Sequence, residues 1–334
     1  MKQLLRNITI IGAGKVAFSL TSALIKSGIK PALILSKNLG SAKKLAERFK
    51  VKQYSSEFNT IPIYAGIFII AVPDAEIKSV AKQLSELKLD FKSSYFVHLS
   101  GTVDISALEL LKSKRANTGT MHIMQSFPST KPVSIANSFT GIEFSNKKTK
   151  ELLEQLSSKL GLIPFTVEAA GKPFYHLAGV FVSNFLIANY FAADAIFSKS
   201  GINSVSGVGL LTPILKATVK NINKNGIVNS LSGPIDRADC DTVETHLKIL
   251  RGVKNEDTSL LYMYVVQSLI LLRVVKEKYG TLKPSHQKIE KILTEELYKI
   301  PVKEKNYFAK LVSAFRIKDK KSKSERTRVS RIRK

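Results

Sequence analysis

Through about residue 168 the chain alternates short continuous apolar runs with amphipathic stretches of helical period. Apolar runs of that kind belong to strands covered on both faces. They predict strands over 8–11, 32–35, 66–72, 95–99 and 120–123. Between them the 3.6-residue period predicts helices over 15–27, 41–49, 74–86 and 106–112, with Ser41 and Asp74 as N-caps. An extended segment at 138–144, a helix at 148–160 and a strand at 163–167 complete the series. From Ala170 the pattern becomes helix after helix. The expected fold is therefore α/β: a doubly wound, mostly parallel sheet over 1–168, followed by an all-helical domain over 169–300.

Two apolar stretches, 177–197 and 260–275, approach the length of a membrane span. Asn184, Asn189 and Asp194 interrupt the first, and Gln267, Ser268 and Arg273 the second. Each would be costly at bilayer depth, so no membrane partner is expected. Helices apolar around most of their circumference are covered from several sides, which makes these two core and dimer-interface helices of an expected homodimer.

Composition adds compartment and charge. The one cysteine, Cys240, excludes an internal disulfide framework and fits a reducing compartment. The first strand begins almost at once, which argues against a secretory signal, so a cytoplasmic protein is expected. The net charge of +26 raises the question of nucleic acid. Its distribution answers: residues 1–150 carry 22 basic against 9 acidic groups, spread along the chain, and 318–334 carry nine against two. The excess is diffuse plus a tail without aromatic residues, the composition of a disordered appendage. It could touch RNA or acidic membranes weakly. No stacking platform or recognition motif accompanies it, so no specific nucleic-acid partner is expected.

The chemistry starts at Gly12-Ala13-Gly14-Lys15-Val16-Ala17, directly after the first strand and opening the first amphipathic helix. In a nucleotide-binding βαβ unit Gly12 permits the tight turn, Gly14 lets the backbone approach a pyrophosphate, and Ala17 lets helix and strand pack closely. The phosphates then lie on the helix N-terminus. The second strand ends in Ser36-Lys37-Asn38, with no carboxylate until Glu47. A free 2′-hydroxyl is usually read by a carboxylate at that place and a 2′-phosphate by a donor or cation, which favours NADP(H) over NAD(H). A solvated lysine is the alternative for Lys37, and its position directly after the strand argues against it.

These motifs, together with Ile70-Ala-Val72-Pro73-Asp74, His98-Leu-Ser100-Gly101 and Met121-His122-Ile-Met-Gln125-Ser-Phe-Pro128, resemble NADP-linked oxidoreductases. The wider group is the superfamily of 6-phosphogluconate dehydrogenase, pyrroline-5-carboxylate reductase and prephenate dehydrogenase. Tyr175-His176 through Ser183-Asn184, and Ser232-Gly-Pro-Ile-Asp-Arg237-Ala-Asp239 with Thr242 and His246, resemble the helical domain of unknown function DUF2520 joined to such Rossmann domains. The resemblance runs to about residue 300 and implies hydride chemistry. Two positions depart from it: Ile123 stands where the family usually has proline, and Ala238 where it usually has glycine.

Val72, Pro73, Ser100 and Gly101 follow neighbouring strands, at the sheet edge where open α/β folds bind ligands. A simple turn is the alternative for Ser100-Gly101. His176 is the sharper candidate for proton transfer. Seven residues later Ser183 shares its helix face, with Asn184 alongside, and such a polar stripe needs partners or a cavity. Hydrogen bonding to neighbouring helices is the alternative. His122 could act as an acid or position the substrate or the nicotinamide amide. Gln125 and Arg237 are candidate substrate contacts, Arg237 through a bidentate carboxylate pair or else paired with Asp236 or Asp239. Cys240 and His246 supply no four-ligand set, so no metal is expected. The reading is an NADP(H)-dependent oxidoreductase acting on a small molecule. A cofactor-binding sensor without turnover is the alternative.

Overall fold

The computed structural model describes residues 2–252 and 258–299, which fall into two compact units divided between Asn189 and Tyr190. The first is built on eight strands: β1 Ile8–Ile11, β2 Leu33–Leu35, β3 Gln53–Ser55, β4 Ile67–Ile70, β5 Tyr95–His98, β6 Asn117–Ile123, β7 Phe139–Phe144 and β8 Ile163–Thr166. They form one sheet in the order β3-β2-β1-β4-β5-β6-β7-β8. Every neighbouring pair is parallel except β6–β7. Strand order therefore reverses between β1 and β4, and the crevice beyond their carboxyl ends is where such sheets receive ligands.

Continuous apolar strands have a direct cause here: the sheet is covered on both faces. Ile8, Ile10, Ile69 and Val97 point into one core with Leu20 and Leu24. Ile11, Leu35, Phe68, Ile70 and Phe96 point into the other, where Phe68 and Phe96 stack at 4.7 Å. Helix α1 (Lys2–Arg6) precedes the sheet. Helices α2 (Lys15–Lys26), α3 (Leu39–Arg48), α4 (Ile77–Ser85), α5 (Glu109–Ser113) and α6 (Lys147–Lys159) connect the strands. Helix α7 (Lys172–Phe197) begins in this unit and ends in the second.

Three local expectations need correction. Helix α3 is capped by Asn38, whose Oδ1 accepts from the Ser41 backbone N–H at 2.8 Å, so Ser41 is the recipient and not the cap. Asp74 heads a 3₁₀ turn without a side-chain cap, and its Oδ2 instead accepts from Thr102 Oγ1 at 2.7 Å. Strand β3 was not expected, because Gln53-Tyr54-Ser55 has no apolar run and sits at the sheet edge.

The second unit contains α8 (Gly207–Asn229), α9 (Pro234–Arg237), α10 (Cys240–Gly252), α11 (Thr258–Tyr279) and α12 (Pro284–Tyr298). Val243 and Leu247 of α10, Leu261, Val265, Leu272 and Val275 of α11, and Ile289 and Leu293 of α12 form its core. Asp236 fastens α9 to α11, accepting from Lys278 Nζ at 3.1 Å. Ala238 holds φ 58°, the left-handed conformation glycine adopts without strain, so the loop keeps a glycine-type turn despite its alanine.

Helices α7 and α11 are long and apolar enough to cross a bilayer by length and composition. Leu261, Val265, Leu272 and Val275 of α11 are buried in the core of the second unit. Phe181, Val182, Ile187 and Phe191 of α7 stand exposed, Phe191 at 76%. The basic segment 318–334 lies outside the described residues.

Candidate active site

The turn after β1 separates the roles of its two glycines. Gly12 has φ 109°, and a Cβ there would fall 2.2 Å from the Ala71 carbonyl oxygen, so backbone crowding alone requires glycine. Gly14 has an ordinary φ of −85°, and a Cβ would meet nothing within 4 Å. It opens α2 with no side-chain cap. Omitting a cap costs about 1 kcal/mol, while burial of Leu20 and Leu24 contributes about 2 kcal/mol each, so α2 is stable with its first N–H groups unclaimed by a cap. Open space in front of an uncapped helix N-terminus fits a pyrophosphate. Ala13 and Val16 pack against the core beneath, and Lys15 is exposed at the first turn.

Ser36, Lys37 and Asn38 follow β2 on the same sheet edge. Asn38 is spent partly on capping α3. Lys37 is 84% exposed and lies 3.5 Å from Glu76, which comes from the 3₁₀ turn after β4. Val72 and Pro73 follow β4, next along the edge.

Ser100 and Gly101 follow β5. Ser100 Oγ accepts from the backbone N–H groups of Thr102 and Val103 at 3.1 and 2.9 Å, shaping its own turn. Gly101 has a further reason to lack a side chain: a Cβ would lie 2.7 Å from His122 Nε2 and 2.6 Å from His176 Cδ2. His122, near the end of β6, and His176, in the first turns of α7, place their rings 5.8 Å apart. Two histidines predicted separately are thus one cluster, brought together over Gly101.

Burial is the main force on the His122 ring. It pushes the His122 pKa down to about 4, helped by the nearby His176 and Lys172 and opposed by Asp74. His98 is likewise pushed down to about 4, by burial first and then by Lys172. The Ser100 N–H donates to His98 Nδ1 at 3.3 Å, and His98 Nε2–H donates to the Asp104 carbonyl at 3.2 Å, which holds it neutral beneath the turn.

Lys172 and Tyr175 were missed by sequence reasoning. With His176 they occupy positions i, i+3 and i+4, one face of α7, and that spacing was the available signal. Lys172 is fully buried, its Nζ donating to Glu143 Oε2 (2.7 Å), the Val103 carbonyl (2.6 Å) and Thr120 Oγ1 (3.1 Å). Burial lowers its pKa, and the Glu143 bond opposes that. The Tyr175 hydroxyl meets His122 Nδ1, and burial pushes its pKa up to about 12.

Among the described residues, Ser183, Asn184 and Gln125 make no hydrogen bond to this cluster. Ser183 is seven residues beyond His176, about 10 Å along the axis, and past the place where Gly179 packs on Met124. Among the described residues no hydrogen bond joins Ser183 or Asn184 to either histidine. Gln125 follows β6 and is exposed, its Nε2 donating to Ser138 Oγ at 3.4 Å. Arg237 is exposed on α9 of the second unit. Ile123, the departure from the family's proline, is the last residue of β6, buried and paired with Thr140.

Residues 7–93 match the family model described as NADP oxidoreductase, coenzyme F420-dependent, and residues 138–269 match that of the domain of unknown function DUF2520. A solved Bacteroides fragilis protein provisionally named an NADP oxidoreductase is 21% identical with a TM-score of 0.68, the match covering 82% of this chain and 99% of that one. A Thermotoga maritima protein is 25% identical with a TM-score of 0.60, over 82% and 100%. A reductive aminase from Aspergillus terreus, solved with NADPH and ethyl-5-oxohexanoate, is 13% identical with a TM-score of 0.54, over 88% and 94%. No curated protein matches. Family and fold support an NAD(P)-dependent oxidoreductase. The chain thus joins an NADP-oxidoreductase-like Rossmann domain to a C-terminal DUF2520 domain.

Proposed function

We propose that this protein is an NADP(H)-dependent oxidoreductase that moves a hydride to or from a small carbonyl, imine or hydroxy-acid substrate. The observation that carries the reading is that the open cradle at Gly14 and the His122–His176 pair share one carboxyl edge of the sheet. Three strand spacings, about 14 Å, separate β1 from β6.

In this reading Gly12, Ala13, Gly14, Lys15 and Val16 hold the pyrophosphate on the N-terminus of α2. Ser36, Lys37 and Asn38 receive the 2′-phosphate, with Lys37 exchanging Glu76 for it. Val72, Pro73, Ser100 and Gly101 line the path between. The bound nucleotide supplies or accepts the hydride. His176 handles the proton at the reacting atom and His122 orients that atom. Ser183, Asn184 and Gln125 are proposed as further contacts to substrate within the first unit.

A second copy of the chain is proposed to cover the exposed apolar face of α7, in a cytoplasmic homodimer. Leaving Phe181, Val182, Ile187 and Phe191 in water forfeits about 1.5–3 kcal/mol for each side chain that a partner would bury. Sedimentation of the full chain at micromolar concentration checks this, and a monomer there overturns it.

The oxidoreductase reading is tested by His176→Ala. NADPH binding, followed by calorimetry, is expected to persist while turnover on a carbonyl and imine panel falls about 100-fold or more. Absence of NADPH binding to the wild-type chain overturns the reading. Tight binding with no turnover on any substrate favours a sensor.

A further inference from the structure

The contact between Tyr175 and His122 carries information that distances alone do not display, namely which imidazole nitrogen holds the proton. The Tyr175 hydroxyl faces His122 Nδ1, with the two rings edge to face at 5.3 Å. It also interacts with the backbone of Gly141, the β7 residue paired with His122. The His122 carbonyl is a poorer acceptor, 3.4 Å away and already taken by Thr140 Oγ1 at 3.0 Å. A phenol is a stronger acid than a neutral imidazole N–H, and a bare imidazole nitrogen is a stronger acceptor than a phenol oxygen. The favoured arrangement therefore has Tyr175 donating and Nδ1 accepting.

If Nδ1 accepts, the proton of the neutral ring is on Nε2. That nitrogen points over Gly101, where a Cβ would lie 2.7 Å from it. Among the described residues no group takes a hydrogen bond from it. The absence of a Cβ at Gly101 is what lets Nε2 sit there, and His122 is half-buried, not sealed from solvent. The charged or titratable groups facing the ring are His176, Lys172 and Tyr175 of α7 and Asp74 after β4.

We propose that Tyr175 is a positioning residue that holds His122 as the neutral Nε2–H tautomer, so that the site offers a fixed N–H donor to an oxygen of the substrate. A fixed neutral donor stabilises an oxygen gaining negative charge, as a ketone or aldehyde oxygen does when its carbon is reduced. An iminium nitrogen, which loses positive charge on reduction, gains nothing from it. The inference deepens the oxidoreductase reading and selects oxo substrates within it, while the tautomer itself stands without turnover.

The test uses the full chain labelled with ¹⁵N-histidine, with long-range ¹H–¹⁵N spectra recorded from pH 5 to 8 and His122 assigned through His122→Gln. The wild type is expected to show His122 neutral with the proton on Nε2 throughout. Tyr175→Phe is expected to give mixed tautomers and an upward shift of the His122 titration. Turnover on a ketone panel is expected to fall on the order of 10-fold in kcat with KM nearly unchanged. A wild-type proton on Nδ1 overturns the proposal whether or not the variant folds, as does an unaltered tautomer in Tyr175→Phe. Preference for imines over ketones overturns the oxo selection. Failure of all turnover overturns the oxidoreductase reading and leaves the spectra to decide the tautomer.

Discussion

Lys172 Nζ lies 2.7 Å from Glu143 Oε2, and both side chains are removed from solvent beneath the histidine cluster. A buried pair of this kind gains little over an apolar replacement, but losing one partner strands the other charge. Lys172→Met is therefore expected to cost about 3–5 kcal/mol. Adding Glu143→Gln is expected to recover most of that loss. Urea denaturation of the two variants checks the pair, and equal midpoints count against coupling.

Acid is expected to destabilise the first unit before its carboxylates protonate. His98 and His122 both hold folded pKa values of about 4, below the ordinary 6.5 of an exposed histidine. Between those values the unfolded chain binds more protons than the folded one, so stability rises with pH. The contribution is complete above about pH 6.5 and is lost as pH falls toward 4, with a slope of about 1.4 kcal/mol per pH unit for each histidine. Denaturation midpoints measured from pH 4 to 7 check the slope, and a flat profile removes the basis for neutral, buried histidines.

Opposite failures are expected at the two glycines of the turn. Gly12→Ala drives a Cβ into the Ala71 carbonyl and forces a positive φ, so a loss of about 2 kcal/mol or more is expected whether or not nucleotide is present. Gly14→Ala meets open space and is expected to melt like the wild type while binding NADPH at least 10-fold more weakly, on the order of 1.4 kcal/mol. Thermal melts paired with fluorescence titration separate the two. Normal NADPH affinity in Gly14→Ala would remove the phosphate cradle.

Lys37 discriminates between the nicotinamide cofactors. Its exposed pair with Glu76 is worth at most about 1 kcal/mol, so Lys37→Gln is expected to leave stability nearly unchanged. NADPH affinity is expected to fall about 10-fold and NADH affinity to stay level. Glutamine suits this test better than a carboxylate, which would add repulsion from Glu76. Equal losses for both nucleotides would count against Lys37 as the reader of the 2′-phosphate.

The alternating architecture was legible before any coordinates, because burial on both sheet faces writes itself into uninterrupted runs such as Ile8–Ile11. The glycine turn was legible for a related reason: a backbone constraint permits few residues. Edge strand β3 escaped, since one exposed side removes the apolar signal. Cap positions at Asn38 and Ser41 shifted by three residues, because both types are good caps and only the local backbone chooses between them.

The cluster of His122, His176, Tyr175, Lys172 and Glu143 needed three dimensions. Its members come from β6, β7 and α7, up to 54 positions apart between His122 and His176, and no periodicity links residues on separate elements. Local rules of period and steric permission act within a few residues and survive in the letters alone. Convergence of buried polar groups depends on how helix and sheet pack, and so does the depression of a histidine's pKa, since both arise from neighbours that folding supplies.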